Sequence, residues 1–218
     1  SYEGGVPTDL DGVYGYLFDD NGAQIASTSS TQVMGREEML NAFNLMLQDF
    51  YAETGLSTLM VNDMYIGPTS EEEEESEEDY TSDMPCYEHD SGLALDLQLY
   101  LAEASLYPEF DGTGDYSWIM ENCWRYGFVQ RYTQDKTSVT GVEQMANHFR
   151  YVGVPHAEIM HRNGLCLEEY IDFIKQYSFE DPYSFEDSNG NCYAIYYTQM
   201  SSETNTNCPI PLNENDGE

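Results

Sequence analysis

Apolar residues in this chain recur with two rhythms, one near 3.6 residues and one of two. Met39, Leu40, Phe43, Met46, Leu47 and Phe50 keep helical spacing and predict a helix over 36–54, with Gly55 as its stop. Alternation around Leu59, Val61 and Tyr65 then predicts a strand over 56–66. Residues 69–83 carry Glu71 to Glu75, Glu77, Glu78 and Asp79 with no apolar face, the pattern of a solvated surface loop. A strand over 93–101 follows, then a helix over 117–126 ended by Gly127 and a short strand over 128–132. Residues 147–152 alternate like a strand, 156–160 suit a helical turn, and 167–177 place Leu167, Tyr170, Ile171 and Ile174 on one helical face. Turn chemistry at 188–191 leads into a last strand over 192–198. Residues 1–32 show only a short strand-like piece at 13–18 and read as a poorly defined entry, while 201–218 read as a polar tail. The core domain is expected over 33–200 as an α+β fold, a small antiparallel sheet flanked by helices.

Charge changes this picture first. Forty-one acidic residues face seven basic ones, a formal net charge of −34. Seven scattered Lys and Arg cannot neutralise a phosphate backbone, which excludes nucleic-acid binding and disfavours an anionic membrane surface. Clustered carboxylates in 71–79 also suit calcium, but the spacing and glycine of an EF-hand are absent, so a solvated loop is the stronger reading. No apolar run approaches the roughly 20 residues of a membrane span. Residues 1–7 read as a mature or trimmed terminus, with an upstream leader or anchor left open. The five cysteines, Cys86, Cys123, Cys166, Cys192 and Cys208, form no CxxC pair, and their odd number leaves at least one thiol free.

Candidate chemistry concentrates at 87–96. If 93–99 is a strand, Leu93, Leu95, Leu97 and Leu99 face one way and Ala94, Asp96 and Gln98 the other. His89 can approach Asp96 across a turn that Gly92 permits. An imidazole and a carboxylate so placed suit zinc, which needs a third protein ligand and an open position. Of the remaining histidines, His148, His156 and His161, the first lies on a strand-like stretch with Arg150 and Val152 on its face. Pairing that stretch with 93–101 would bring His148 to Asp96 and complete a two-His, one-carboxylate set. On spacing alone a histidine satisfied in a core or loop is the commoner case.

The motif His89-x-x-Gly92-x-Ala94-x-Asp96 resembles the SxHxxGxAxD signature of zinc D-alanyl-D-alanine carboxypeptidases and dipeptidases of the vancomycin-resistance (VanY and VanX) type. Trp118, Ile119 and Trp124, then Arg125 to Phe128, Arg131, Tyr132, Lys136, Thr140 and Gly141 are similar to the VanY branch. So are His148 to Gly153 with His156 and Ala157, and Leu167 to Ile171. The resemblance spans roughly residues 36–200. It implies a compact zinc D,D-peptidase-like domain, His89, Asp96 and His148 as Zn2+ ligands, and peptidoglycan stem peptides as substrate, trimmed outside the membrane at an extracellular or cell-surface location in a bacterium.

Three positions depart from that pattern. The family's glutamate, the base that takes a proton from the attacking water, belongs three residues before the last histidine, where this chain has Met145. Glu143 is the substitute within reach only if its loop is reshaped. The family's substrate-binding arginine has no counterpart in 61–65, which carries Asp63 instead, so Arg131 or Arg150 would have to serve. Tyr87 replaces the signature serine and is the third candidate substrate contact. Two functions follow: an impaired zinc carboxypeptidase, or a catalytically inactive peptidase-fold module that binds a cell-wall peptide or protein partner.

Overall fold

The helical rhythm of 36–54 forms α1, Glu37–Thr54, and all six of its predicted inward residues are fully buried. It ends where Gly55 turns left-handed at φ 70° and donates its N–H to the Tyr51 carbonyl. The computed structural model describes residues 7–65 and 87–198; the expected acidic loop 69–83 and polar tail 201–218 lie outside them. The chain divides into two compact units, Ser1–Ala157 and Glu158–Glu218, where the hydrophobic pattern suggests one domain over 33–200.

In the first unit the strands β1 (Leu10–Gly12), β2 (Ser27–Thr28), β3 (Met34–Arg36), β4 (Leu59–Asp63) and β5 (Ala94–Leu99), with the short helix α2 (Tyr87–Asp90) before β5, come in chain order around α1. They are followed by α3 (Ser117–Asn122), β6 (Phe128–Gln130), α4 (Thr137–Thr140) and β7 (His148–Tyr151). Five strands form one sheet in the order β2-β4-β5-β7-β6, antiparallel except for the parallel edge pair β2–β4, and β1 pairs with β3 apart from it. The sheet's apolar side carries Leu95, Leu97, Leu99, Phe128 and Phe149 into one cluster with the buried face of α1. Phe43 meets Phe128 edge-on at 6.3 Å across that seam. Each fully buried Leu, Met or Phe contributes about 1.5–3 kcal/mol, so the seam outweighs any surface ion pair in this unit.

The N-terminal segment differs from its expected poor definition. Val13, Leu17, Ile25 and Ala26 are all buried in the core, and 13–18 is no strand, since Val13–Tyr16 forms a 3-10 helix. Its strands are two or three residues long, too short for a period to show.

Helix α5, Val154–Asn163, crosses the boundary between the units and is twice the length of the expected turn. The second unit holds α6 (Leu167–Ile174) and a hairpin of β8 (Tyr183–Glu186) with β9 (Cys192–Ile195). Cys166 caps α6, its backbone N–H donating to Glu169 Oε2 at 2.9 Å. The hairpin loop is organised by Asp187, whose carboxylate accepts from the backbone N–H groups of Asn189 and Asn191, the Asn191 amide and the Tyr193 hydroxyl.

Candidate metal centre

The polar side of the five-stranded sheet brings together residues far apart in sequence. Asp96 lies directly opposite His148 in the β5–β7 register, with Ala94 opposite Arg150. A shift in the β4–β5 register after Val61 brings Asp63 opposite Asp96. Arg131 follows β6 and donates its backbone N–H to the His148 carbonyl at 2.9 Å, which extends the row to a fourth strand. Directly opposed residues share a face, so Asp63, Asp96, His148 and Arg131 run as acid, acid, base, base across the sheet.

Above this row sits α2, which carries Glu88 and His89. Gly92 ends the turn at φ 66°, and its carbonyl accepts from the Arg36 N–H at 2.9 Å. A Cβ there would meet Arg36 Cγ and Leu10 Cδ2 at 2.9 Å each, so only glycine fits without displacement. The turn is also tied by Arg150, whose Nη1 donates to the Glu88 carbonyl at 3.2 Å and to Ser91 Oγ at 2.7 Å. His89 is buried, and its Nδ1 donates to the Met64 carbonyl. That bond fixes the tautomer and leaves the Nε2 lone pair, 3.6 Å from Asp96 Oδ1, as the donor to a metal.

His148 Nδ1 lies 2.6 Å from the same Asp96 oxygen. One ligand atom each from His89, Asp96 and His148 falls within 4.8 Å of the others. Tetrahedral zinc with bonds of about 2.0–2.1 Å needs ligand atoms roughly 3.3 Å apart. The His89–Asp96 separation is near that value, and the closer His148–Asp96 pair would have to open for both to hold an ion. Two nitrogens and one carboxylate oxygen, with the tautomer of His89 set from outside, fit zinc and leave a fourth position for water or substrate.

Electrostatics in this cluster follow from its pairing. Burial opposes the charge on Asp96, but the hydrogen bond from His148, with the His89 imidazole beside it, outweighs burial and holds the carboxyl at about 2. Burial likewise opposes the charge on His148, yet Asp96 and Glu88 on its two nitrogens push it up to about 9. Glu88 is lowered despite burial, through His148 and Arg131. Asp63 is raised, by burial first and then by neighbouring Asp96, against the pull of His89.

Residues 142–147 form no strand. Met145 is half-buried, with its N–H donating to the Tyr132 carbonyl at 2.9 Å and its carbonyl accepting from Gln130 Nε2 at 3.0 Å. Glu143 is exposed, and among the described residues no hydrogen bond or ion pair carries it to the cluster. Arg131 is buried with its Nε 3.0 Å from Glu88 Oε1, and Arg150 secures the turn beneath His89. The side chain of Tyr87 lies outside the described residues. Glu88 has no role in the sequence reading, yet its Oε2 is 3.2 Å from His148 Nε2. Its one signal is adjacency to a candidate ligand; the partner 60 residues away is visible only once β7 is placed.

Comparison with known proteins converges on this region. The profile of the VanY family, described as D-alanyl-D-alanine carboxypeptidase, matches residues 36–154. A D-alanyl-D-alanine carboxypeptidase of Enterococcus faecium is 34% identical over 178 residues, which cover 81% of this chain and 55% of that protein. The chain thus spans about half the length of this curated relative. The crystal structure of the vancomycin-resistance D,D-dipeptidase VanXYg, in complex with a D-Ala-D-Ala phosphinate analogue, superposes with a TM-score of 0.63 at 31% identity, covering 78% of this chain and 71% of that one. A mutant of the D,D-pentapeptidase VanY from a VanB-type cassette, in complex with Zn(II), shares the fold with a TM-score of 0.50 at 23% identity, covering 76% of this chain and 90% of that one.

Proposed function

The chain belongs to the VanY family of D-alanyl-D-alanine carboxypeptidases, and from that premise we propose that it is a zinc carboxypeptidase of peptidoglycan stem peptides with reduced turnover. The observation that carries the metal is the convergence of His89, Asp96 and His148 within 4.8 Å on one face of the sheet. His89, Asp96 and His148 would hold zinc, which when bound would act as a Lewis acid and lower the pKa of a water to about 7. Its substrate, a D-Ala-terminated wall peptide, places the activity at the bacterial cell surface or outside it.

Reduced turnover follows from what stands around the ligands. Met145 at the expected base position has a thioether, which takes no proton, and loss of a general base costs roughly 10²–10⁴ in rate. Asp63 presents a carboxyl group on the row where a cation would attract the peptide's terminal carboxylate. Arg131 and Arg150 are engaged with the α2 turn. These features leave the ligand set intact. They also support a second reading, a peptidase-fold module that holds a wall peptide without cleaving it.

The test is D-alanine release from an acyl-D-Ala-D-Ala peptide by protein carrying one zinc. Slow release that a chelator stops, and that persists in Met145→Ala, is the expected result. No release above a zinc-only blank, combined with calorimetric binding of the same peptide, would replace the carboxypeptidase with the binding module.

A further inference from the structure

Resting on the metal reading above, we infer that Glu88 is a positioning residue that fixes the His148 ring for ligation through Nδ1, with Arg131 holding Glu88 in place. The two nitrogens of an imidazole point away from the ring in well-separated directions, so only one can face the ligand cluster. Nδ1 takes that side, 2.6 Å from Asp96 Oδ1, and Nε2 points to Glu88 Oε2 at 3.2 Å. Glu88 therefore meets the ring at the nitrogen away from Asp96, on its outer side.

The other carboxylate oxygen of Glu88 lies 3.0 Å from Arg131 Nε. Arg131 is only 7% exposed, and its guanidinium sits over the Tyr132 ring at 4.5 Å. That tyrosine in turn lies parallel to His148, with an interplanar angle of 4° and ring centroids 6.2 Å apart. His148 is therefore held at its outer edge by Glu88 and on one face by Tyr132. The backbone beneath Glu88 is anchored as well, by Arg150 on its carbonyl.

A carboxylate on the outer N–H of a ligating histidine selects the tautomer, orients the ring and strengthens the donor nitrogen. This geometry separates Glu88 from the missing base. Both of its oxygens are engaged, and they lie across the imidazole from where a metal and its substrate would sit. Arg131 is likewise assigned to the support of a ligand and not to the clamp of a substrate carboxylate.

The experiment titrates the metal-free full chain with Zn2+ against a chromophoric chelator, for wild type, Glu88→Gln, Glu88→Ala and Arg131→Lys, and records the visible spectrum of each with Co2+. The expected result is a loss in zinc affinity of about 10–100-fold in both Glu88 variants, a smaller loss in Arg131→Lys, and displaced cobalt bands. Unchanged affinity and spectrum in folded Glu88→Gln would overturn the inference while leaving the metal site standing. Failure of the wild type to bind zinc would remove the metal reading itself, and the inference with it. Nitrogen NMR of zinc-loaded wild type gives a test that needs no variant: His148 should carry its proton on Nε2, and a metal on Nε2 would refute the assignment.

Discussion

Replacing Gly92 by alanine tests whether the turn above the metal centre is as constrained as its geometry implies. The residue sits at φ 66°, where an L side chain costs about 1–2 kcal/mol. Its new Cβ would stand 2.9 Å from Arg36 Cγ and from Leu10 Cδ2. The leucine methyl is the end of a side chain and can rotate. Arg36 has less freedom, since its Nε holds Asp9 at 2.9 Å and its backbone N–H binds the Gly92 carbonyl. Overpacking of this kind adds about 1 kcal/mol, the low end of its range. The sum, about 2–3 kcal/mol, lowers the folding constant roughly 30–150-fold and moves the urea midpoint down by about 1–1.5 M at a slope near 2 kcal/mol/M. The assay is urea unfolding of metal-free protein, so that ligand binding does not mask the loss. Tryptophan fluorescence reports the relevant unit alone, because both tryptophans, Trp118 and Trp124, lie within 1–157. A loss below about 0.5 kcal/mol would show that the turn accommodates a Cβ and that the glycine is not required by space or by φ.

Phe149→Ala should cost about 3–5 kcal/mol in the same assay, since Phe149 is fully buried at the sheet centre against Phe110. Native-state alkylation followed by peptide mapping should label exposed Cys192 and spare Cys123, whose thiol burial pushes up to about 12; rapid labelling of Cys123 in folded protein would contradict its placement. Asp187→Ala should speed hydrogen exchange at the Asn191 amide. Burial works against the Asp187 charge, but its hydrogen bonds hold the pKa below 3.8, so the carboxylate stabilises the loop above that value and loses its effect as pH falls through the folded pKa. The gap between wild type and variant should therefore close in strong acid, and a gap independent of pH would show that charge is not what orders the loop.

Legibility in the sequence tracks how local the signal is. The buried face of α1 can be read residue by residue because six apolar positions repeat over 18 residues, and Gly55 marks its end. Alternation in β5 likewise separates Leu95, Leu97 and Leu99 from Asp96 before any partner strand is known. The N-terminal strands resist such reading, since two or three residues hold no period and their order comes from pairing with distant partners. β8 leaves a fainter trace, the Tyr183–Glu186 alternation ahead of the turn at 188–191, which becomes a strand only as half of a hairpin. Within the candidate site, opposing strands place Asp96 beside His148, a juxtaposition that period two anticipates. The Glu88 contact is of another kind: it depends on α2 forming a helical turn and on the height at which that turn crosses β7, neither of which a linear pattern encodes.

The row that runs from Asp63 to Arg131 makes the donor set a property of strand register. Asp96 and His148 are 52 residues apart, and His89 depends on a carbonyl 25 residues before it. A slip of β7 by one residue would exchange His148 for Phe149 and present a phenyl ring where a nitrogen must be. Zinc bound by this set would therefore report register: its full ligand set would exist only once three non-adjacent stretches of chain have reached their final pairing. Zinc-dependent signals would then time the completion of the central sheet.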